Sequence, residues 1–431
     1  MTTATLMLLA AALLLCSRFA WVIRPSYDES AVPAYDLPDP LVMESGEPVT
    51  DADQWLIRRA ELLSLFRDQM FGRMDHITAA ADVRFEVMES DACALNGAAT
   101  RRQVRIHFTA ETSGPSMDLL LYLPNISAGP LPVFLGMNFD GNHTVHADPS
   151  IALPRGWVRE NESVGVVGHL ASEAGRGAMS GRWPVEAILA RGYGVATAYY
   201  GDLAPDFADG YQNGVLSLPA RRDARQRGDS GRAIAAWSWG YSRALDYLAS
   251  DVSVDETRVI AIGHSRLGKT ALWAGACDTR FAMAISNNSG CGGAAISRRR
   301  YGETIFAINQ RFPHWFCGNF HAYNDNEGAL PFDQHALLAL MAPRPVYVAS
   351  AEDDRWADPR GEFLGCLHAA PVFELLGCKG IAADTMPPVA SPLHRGRIGY
   401  HLRSGGHDVT AYDWGQYLDF ADRHLGAQGD G

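Results

Sequence analysis

A three-layer α/β sandwich with a central, mostly parallel sheet is the fold this sequence predicts, and two observations predict it. From Leu131 onward, short apolar runs alternate with helical patterns, as repeated β-α units do. Ahead of them, between residues 82 and 124, segments with polar–apolar alternation read as an antiparallel run at one end of the same sheet.

Taken in order, residues 24 to 55 are rich in Pro, Asp and Glu and read as an extended segment lying on the domain surface. Trp55–Phe71 has helical periodicity, with Leu62, Leu63 and Phe66 on the core face. The alternating strands are Asp82–Met88, Thr100–Phe108 and Met117–Pro124. The β-α region then predicts strands at Leu131–Met137, Tyr193–Tyr199, Val259–Ile262, Phe281–Ser286 and Pro345–Ser350. Helices are expected at Pro184–Ala190, Ala233–Leu248, Lys269–Cys277 and Trp414–Leu425. In such a sheet function gathers where strands end at their carboxyl side, so those loops are where catalytic residues are sought.

Composition narrows the class. At 431 residues with 47% hydrophobic and 20% charged side chains, the chain has the balance of a globular enzyme, read as one catalytic domain over 26–431. A net charge of −12 argues against a nucleic-acid partner, and Arg298–Arg300 is too short a run to overturn that. Residues 1–25 carry the apolar run Leu6–Leu15 and read as a signal peptide, giving an exported chain, periplasmic or secreted. The competing reading is an uncleaved membrane anchor, since Leu6 to Ile23 is almost long enough to span and is broken only by Arg18. Beyond Cys16 there are Cys93, Cys277, Cys291, Cys317, Cys366 and Cys378, an even number that leaves room for disulfides. None of them has metal-ligand spacing and no C-x-x-C occurs, so no zinc site is expected.

The chemistry centres on Gly263-His-Ser-Arg-Leu-Gly268. A strand running into a helix around one Ser, with Gly on both sides, is a nucleophile elbow, although the second Gly comes one residue later than in G-x-S-x-G. Ser265 needs a base, and His407 lies in a Gly-rich loop before the last helix, in the final place of the order Ser, acid, His. His264, beside the nucleophile, is expected to pack under the elbow. The acid is sought after the strand Pro345–Ser350, where Asp354 is favoured and Glu352 and Asp353 are the fallbacks. Oxyanion donors are the backbone N–H and the guanidinium of Arg266, with the loop Gly136–His143 as a second source or a purely structural turn.

Further motifs carry a resemblance. Gly263–Lys269, Asn138–His143, Asn288–Gly293, Arg300–Thr304, Pro313–Cys317, Glu352–Glu362 and Gly405–His407 together resemble the bacterial glucuronoyl esterases, carbohydrate esterase family 15. The resemblance covers about residues 130 to 425 and implies the α/β-hydrolase fold with no metal or cofactor. It implies hydrolysis of (4-O-methyl-)glucuronoyl esters that join glucuronoxylan to lignin alcohols, by a chain expected to act as a monomer. It gives Ser265, His407 and Arg266 the roles already assigned and adds Lys269, Glu303 and Trp356 as sugar-binding residues. Some members carry the acid as Glu where this chain has Asn288, so Asp354 is expected to serve and Asn288→Ala to do little. Two rivals remain: an acetyl-xylan or feruloyl esterase on the same fold, and an inactive carbohydrate-binding homologue.

Overall fold

The computed structural model describes residues 25–74, 77, 83–126, 129–218 and 227–426. Nine strands form one sheet: β1 (Arg84–Ala94), β2 (Ala99–His107), β3 (Ser116–Pro124), β4 (Leu131–Asn138), β7 (Gly194–Tyr199), β8 (Val254–His264), β9 (Met283–Asn287), β10 (Val346–Ala351) and β11 (Ile398–Arg403). A separate small hairpin is made by β5 (Val166–Val167) and β6 (Leu170–Ala171). The order across the sheet is β1-β2-β3-β7-β4-β8-β9-β10-β11. Pairing is antiparallel from β1 through β7 and parallel from β7 to β11, as the change of pattern at Leu131 predicts.

The parallel strands read as unbroken apolar runs because both of their faces are covered. Along β8, Val259 and Ala261 enter one buried cluster, while Ile260 and Ile262 enter the other. On the first face pack α1 (Ala52–Phe66), α3 (Ala233–Ser250), α4 (Arg266–Cys277), α6 (Gln334–Ala339) and α7 (Pro359–Leu375). On the second face lie α2 (Val185–Ala190) and α8 (Ala411–Leu425), through Ile188, Trp414, Tyr417 and Phe420. These are the three layers of an α/β-hydrolase fold. The helix expected over Trp55–Phe71 runs as α1 to Phe66 and finishes in a wider turn, Arg67–Phe71. That turn brings Phe71 onto Trp273 of α4 at 4.4 Å, and burying each such ring stabilises the layer by roughly 2–3 kcal/mol.

Three features depart from the sequence expectations or fall outside them. Strand β11 and helices α6 and α7 were not expected, and a further short helix, α5 (Ile305–Arg311), sits in the loop region above the sheet. The six cysteines within the described residues are all free, so the disulfides for which their even number left room do not form there. Cys93 lies on exposed β1, Cys277 ends α4 and Cys366 is inside α7, the others lying in loops, and burial pushes the thiols of Cys277 and Cys317 up to about 11. The leader or anchor lies outside the described residues; within them no helix is long and apolar enough to cross a membrane.

The extended segment that follows it is tied to the sheet's upper loops. Ser26 accepts a hydrogen bond from the Gly302 N–H at 2.8 Å, and the Arg355 guanidinium donates to the Tyr27 carbonyl. Glu29 pairs with buried Arg299 at 2.7 Å and with Arg360 at 3.1 Å.

Candidate active site

The carboxyl ends of four neighbouring strands supply the centre. β8 leads to Ser265, β9 to Asn288, β10 to Asp354 and β11 to His407. Ser265 has φ 58° and ψ −127°, a strained conformation for a residue with a Cβ, of order 1–3 kcal/mol. It is held there by its N–H, which donates to Asn287 O at 2.8 Å, and by its own carbonyl, which accepts from Gly268 N at 2.9 Å. The two glycines have different jobs. A Cβ on Gly263 would stand 1.9 Å from the Leu267 carbonyl oxygen, so the turn itself forbids it. On Gly268 it would meet Ser286 Oγ and Ser289 Cβ at 3.1 Å, so this residue lets α4 approach β9. Leu267, which stands where G-x-S-x-G has its second Gly, is fully buried in the core instead.

Asp354 Oδ2 lies 2.7 Å from His407 Nδ1. The two fallback carboxylates, Glu352 and Asp353, are exposed at the same turn. Burial alone would raise the Asp354 pKa, but hydrogen bonds from His407, Asn288 and the Ala357 N–H hold it below the usual carboxylate range. Asn288 therefore takes a part that the sequence did not give it: its Nδ2 donates to Asp354 Oδ2 at 2.7 Å. It adopts φ 46°, a left-handed conformation that Asn tolerates better than most residues. His264 packs under the elbow, with Nδ1 2.6 Å from Asn287 Oδ1 and its ring 4.5 Å from that of His407.

Arg266 opens α4 beside Ser265, and no side chain caps that helix start. Its guanidinium is caged. Nη1 pairs with buried Asp206, and the rings of Trp315, Phe312 and Phe139 lie 4.8, 5.5 and 5.6 Å from its central carbon. Asp206 also accepts from Trp315 Nε1 and contacts His314 Nε2, each at 2.7 Å. Burial pushes the Asp206 carboxyl up, yet His314, Arg266 and Trp315 outweigh it and hold the group far below the ordinary range. Asp206 itself left no sequence signal; His314 and Trp315 stood in a block that marked resemblance without a role. The Gly136–His143 loop is organised from within: Asn138 Oδ1 accepts from Gly141 N at 2.8 Å, and Asn138 Nδ2 donates to Asn142 at 2.7 Å.

Lys269, one turn along α4, is buried, and its ammonium donates to the carbonyls of Ser289 and Cys291, the second at 2.6 Å. Glu303 Oε2 is 3.8 Å from the same ammonium. Burial raises the Glu303 pKa, partly offset by Lys269, Arg311 and the Trp356 side chain. Ser265, Arg266, Lys269, Glu303, Asp354, Trp356 and His407 all line one cavity of about 360 Å³, so the structure brings these seven together, while Glu352 and Asp353 are not part of its lining. Among the described residues, no cluster of three His, Cys, Asp or Glu side chains is arranged to hold a metal ion.

Beneath the cavity, Glu362 of α7 accepts the N–H groups of Ser289 and Gly290 at 2.8 and 2.9 Å, and the Ser350 hydroxyl at 2.6 Å. Full burial pushes its carboxyl up to about 7 despite those bonds. A carboxyl raised in the folded state loses stability as pH climbs from the ordinary carboxylate range to about 7, because the unfolded chain ionises first. Glu362→Gln is expected to flatten that decline by up to about 3 kcal/mol, read as the difference in unfolding midpoint from wild type across that window.

The arrangement is chemically that of acyl transfer: a strained Ser, an imidazole oriented by a buried carboxylate, and cationic donors beside them. The comparisons agree with it. The model of the family described as fungal glucuronyl esterase matches residues 226–377. A carbohydrate esterase from an unknown prokaryotic organism is 51% identical over 406 residues, covering 93% of this chain and 92% of the relative. The solved structure of a glucuronoyl esterase from Solibacter usitatus superposes with TM-score 0.86 at 50% identity, over 92% of this chain and all of that one. A promiscuous family 15 esterase from a marine bacterial metagenome gives 0.87 at 48%, over 93% of this chain and all of that one. With the elbow, the imidazole and the carboxylate set on this fold, the chain belongs to the glucuronoyl esterases of carbohydrate esterase family 15.

Proposed function

We propose that this chain is a serine esterase that hydrolyses glucuronoyl esters, of the kind joining glucuronoxylan to lignin alcohols, through an acyl-enzyme on Ser265. The observation that carries the reading is the sharing of one cavity by Ser265, Asp354 and His407 with Lys269, Glu303 and Trp356. Ser265 Oγ attacks the ester carbonyl, and His407 Nε2 takes its proton, since Nδ1 donates to Asp354. The tetrahedral oxyanion is met by the Arg266 N–H and its charged side chain, which Asp206 and three rings keep from reorganising. The imidazolium then returns the proton to the departing alkoxide, and water repeats the sequence to release the uronic acid. Glu303, Lys269 and the Trp356 ring hold the sugar, polar groups on its hydroxyls and an apolar face beside it.

The enzyme acts as an exported monomer, its leader or anchor ending near residue 25 and one catalytic domain following. The decisive test compares benzyl glucuronate with p-nitrophenyl acetate. Turnover of the uronate is expected; hydrolysis of the acetate alone would make this an acetyl-xylan or feruloyl type of esterase. Glu303→Gln is expected to raise KM for the uronate by roughly 10-fold while leaving acetate hydrolysis unchanged. It is a cleaner variant than any at Lys269, whose ammonium also fastens the Ser289–Cys291 loop.

A further inference from the structure

Residues 25–32 are poor in apolar side chains and read as surface coil, yet the structure fixes them. Asp28 accepts from the Ser30 N–H at 2.9 Å and closes the single turn Glu29–Ala31. Around that turn the segment meets the two loops that carry Glu303 and Trp356 to the catalytic cavity. The N–H of Gly302, immediately ahead of Glu303, donates to the Ser26 carbonyl at 2.8 Å. The guanidinium of Arg355, immediately ahead of Trp356, donates to the Tyr27 carbonyl. Arg355 also lies 4.9 Å from the Tyr27 ring, while its Nε donates to the Tyr301 hydroxyl at 3.1 Å. The Tyr27 and Tyr301 rings meet edge-on at 6.0 Å. Glu29 pairs with Arg299, which in turn holds Asp358, two residues past Trp356, at 2.7 Å.

The two loops also touch each other. The Glu303 N–H donates to the Trp356 carbonyl at 3.0 Å. Gly302, at φ 62°, comes so close that a Cβ there would stand 2.5 Å from the Arg355 carbonyl oxygen. Neither Glu303 nor Trp356 sits on a strand of the sheet, so their places depend on this joint and on what fastens it. The acyl-transfer groups are held by other bonds. The Asp354 carboxylate meets Asn288 and His407, and the Ser265 backbone is fixed by Asn287 and Gly268. Further along the segment, His335 Nε2 contacts the Pro38 carbonyl at 2.9 Å, so the chain beyond is anchored separately.

We propose that residues 26–29 are a strap that positions the sugar side of the site. By fastening the Gly302 and Arg355 turns from outside the cavity, the strap holds Glu303 and Trp356 in place for the uronate ring and leaves the acyl-transfer groups untouched. Tyr27 and Glu29 are positioning residues, and neither lines the cavity. The proposal rests on the uronate reading given above.

The experiment measures kcat and KM of Tyr27→Ala, Glu29→Ala and the double variant, in the full chain, for benzyl glucuronate and p-nitrophenyl acetate. KM for the uronate is expected to rise about 3-fold in each single variant and about 10-fold in the double, with kcat little changed. Acetate, which has no sugar to place, should be hydrolysed as by the wild type. Tyr27→Phe keeps the ring and should match the wild type on both esters. Tyr27 is 37% exposed and the Glu29 side chain 41%, so neither truncation opens a core cavity, and the thermal midpoint of each variant checks that it folds. An unchanged uronate KM in the double variant overturns the proposal. Parallel losses on both esters overturn it too, since they mark a segment that only stabilises the fold. A wild type active on the acetate and inactive on the uronate overturns the uronate reading and this proposal together.

Discussion

Ser265→Ala is expected to lower turnover of benzyl glucuronate by on the order of 10⁴-fold or more, because no other nucleophile reaches the carbonyl and the acyl-enzyme cannot form. The variant should fold normally. Ala keeps the Cβ and loses only Oγ, while the backbone bonds that fix the elbow, from Ser265 N and to its carbonyl, do not involve the hydroxyl. Binding of glucuronoxylan oligosaccharides, followed by calorimetry, should therefore survive the change. The same measurement separates an esterase from an inactive binding homologue: a wild type that binds these oligosaccharides yet shows no more hydrolysis than Ser265→Ala would be the latter.

Asp354→Asn is expected to cost about 10⁴-fold in kcat with little change in KM, since an amide in that place leaves His407 in the wrong tautomer and the imidazolium without a counter-charge. Glu352→Gln and Asp353→Asn, at exposed positions on the same turn, should stay close to wild type. Asn288→Ala falls between them. It takes one hydrogen bond from the Asp354 carboxylate and leaves the His407 contact in place, so a loss of about 10-fold is expected. The sequence reading had expected almost none. Equal losses at Asp354 and Asn288 would remove Asp354 from its role; a loss concentrated at Glu352 or Asp353 would move it.

The parallel half of the sheet was legible because its strands are apolar on both faces, and a run such as Val259–Ile262 has no other way to be buried. β11 was not legible for the opposite reason. Ile398–Arg403 carries His401 and Arg403, which look solvated, yet both are buried because Asp413 of α8 meets each at 2.8 Å. Nothing within the strand announces a partner on the next helix. Helix α7 was hidden similarly, since its N-cap, Asp358, sits at φ 54° in a carboxylate-rich turn that reads as loop. In the site, residues fixed by local grammar were found: Ser265 by its elbow and His407 by its place in the chain. Asp206 was not, because its link to Arg266 crosses 60 residues and exists only once β7 and β8 stand in one sheet.

The centre draws on β8, β9, β10 and β11, four strands that lie side by side in the order in which the chain makes them. Neighbouring strands are displaced by about 4.8 Å, and the loops beyond them draw the groups closer than that, to 2.7 Å between Asp354 and His407. His407 follows β11, so of the three groups the base comes last along the chain, and a chain that stops ahead of β11 has no imidazole to serve Ser265. Hydrolysis of a small uronate ester, followed during refolding of the full chain, would report when the end of β11 has joined those of β8 and β10.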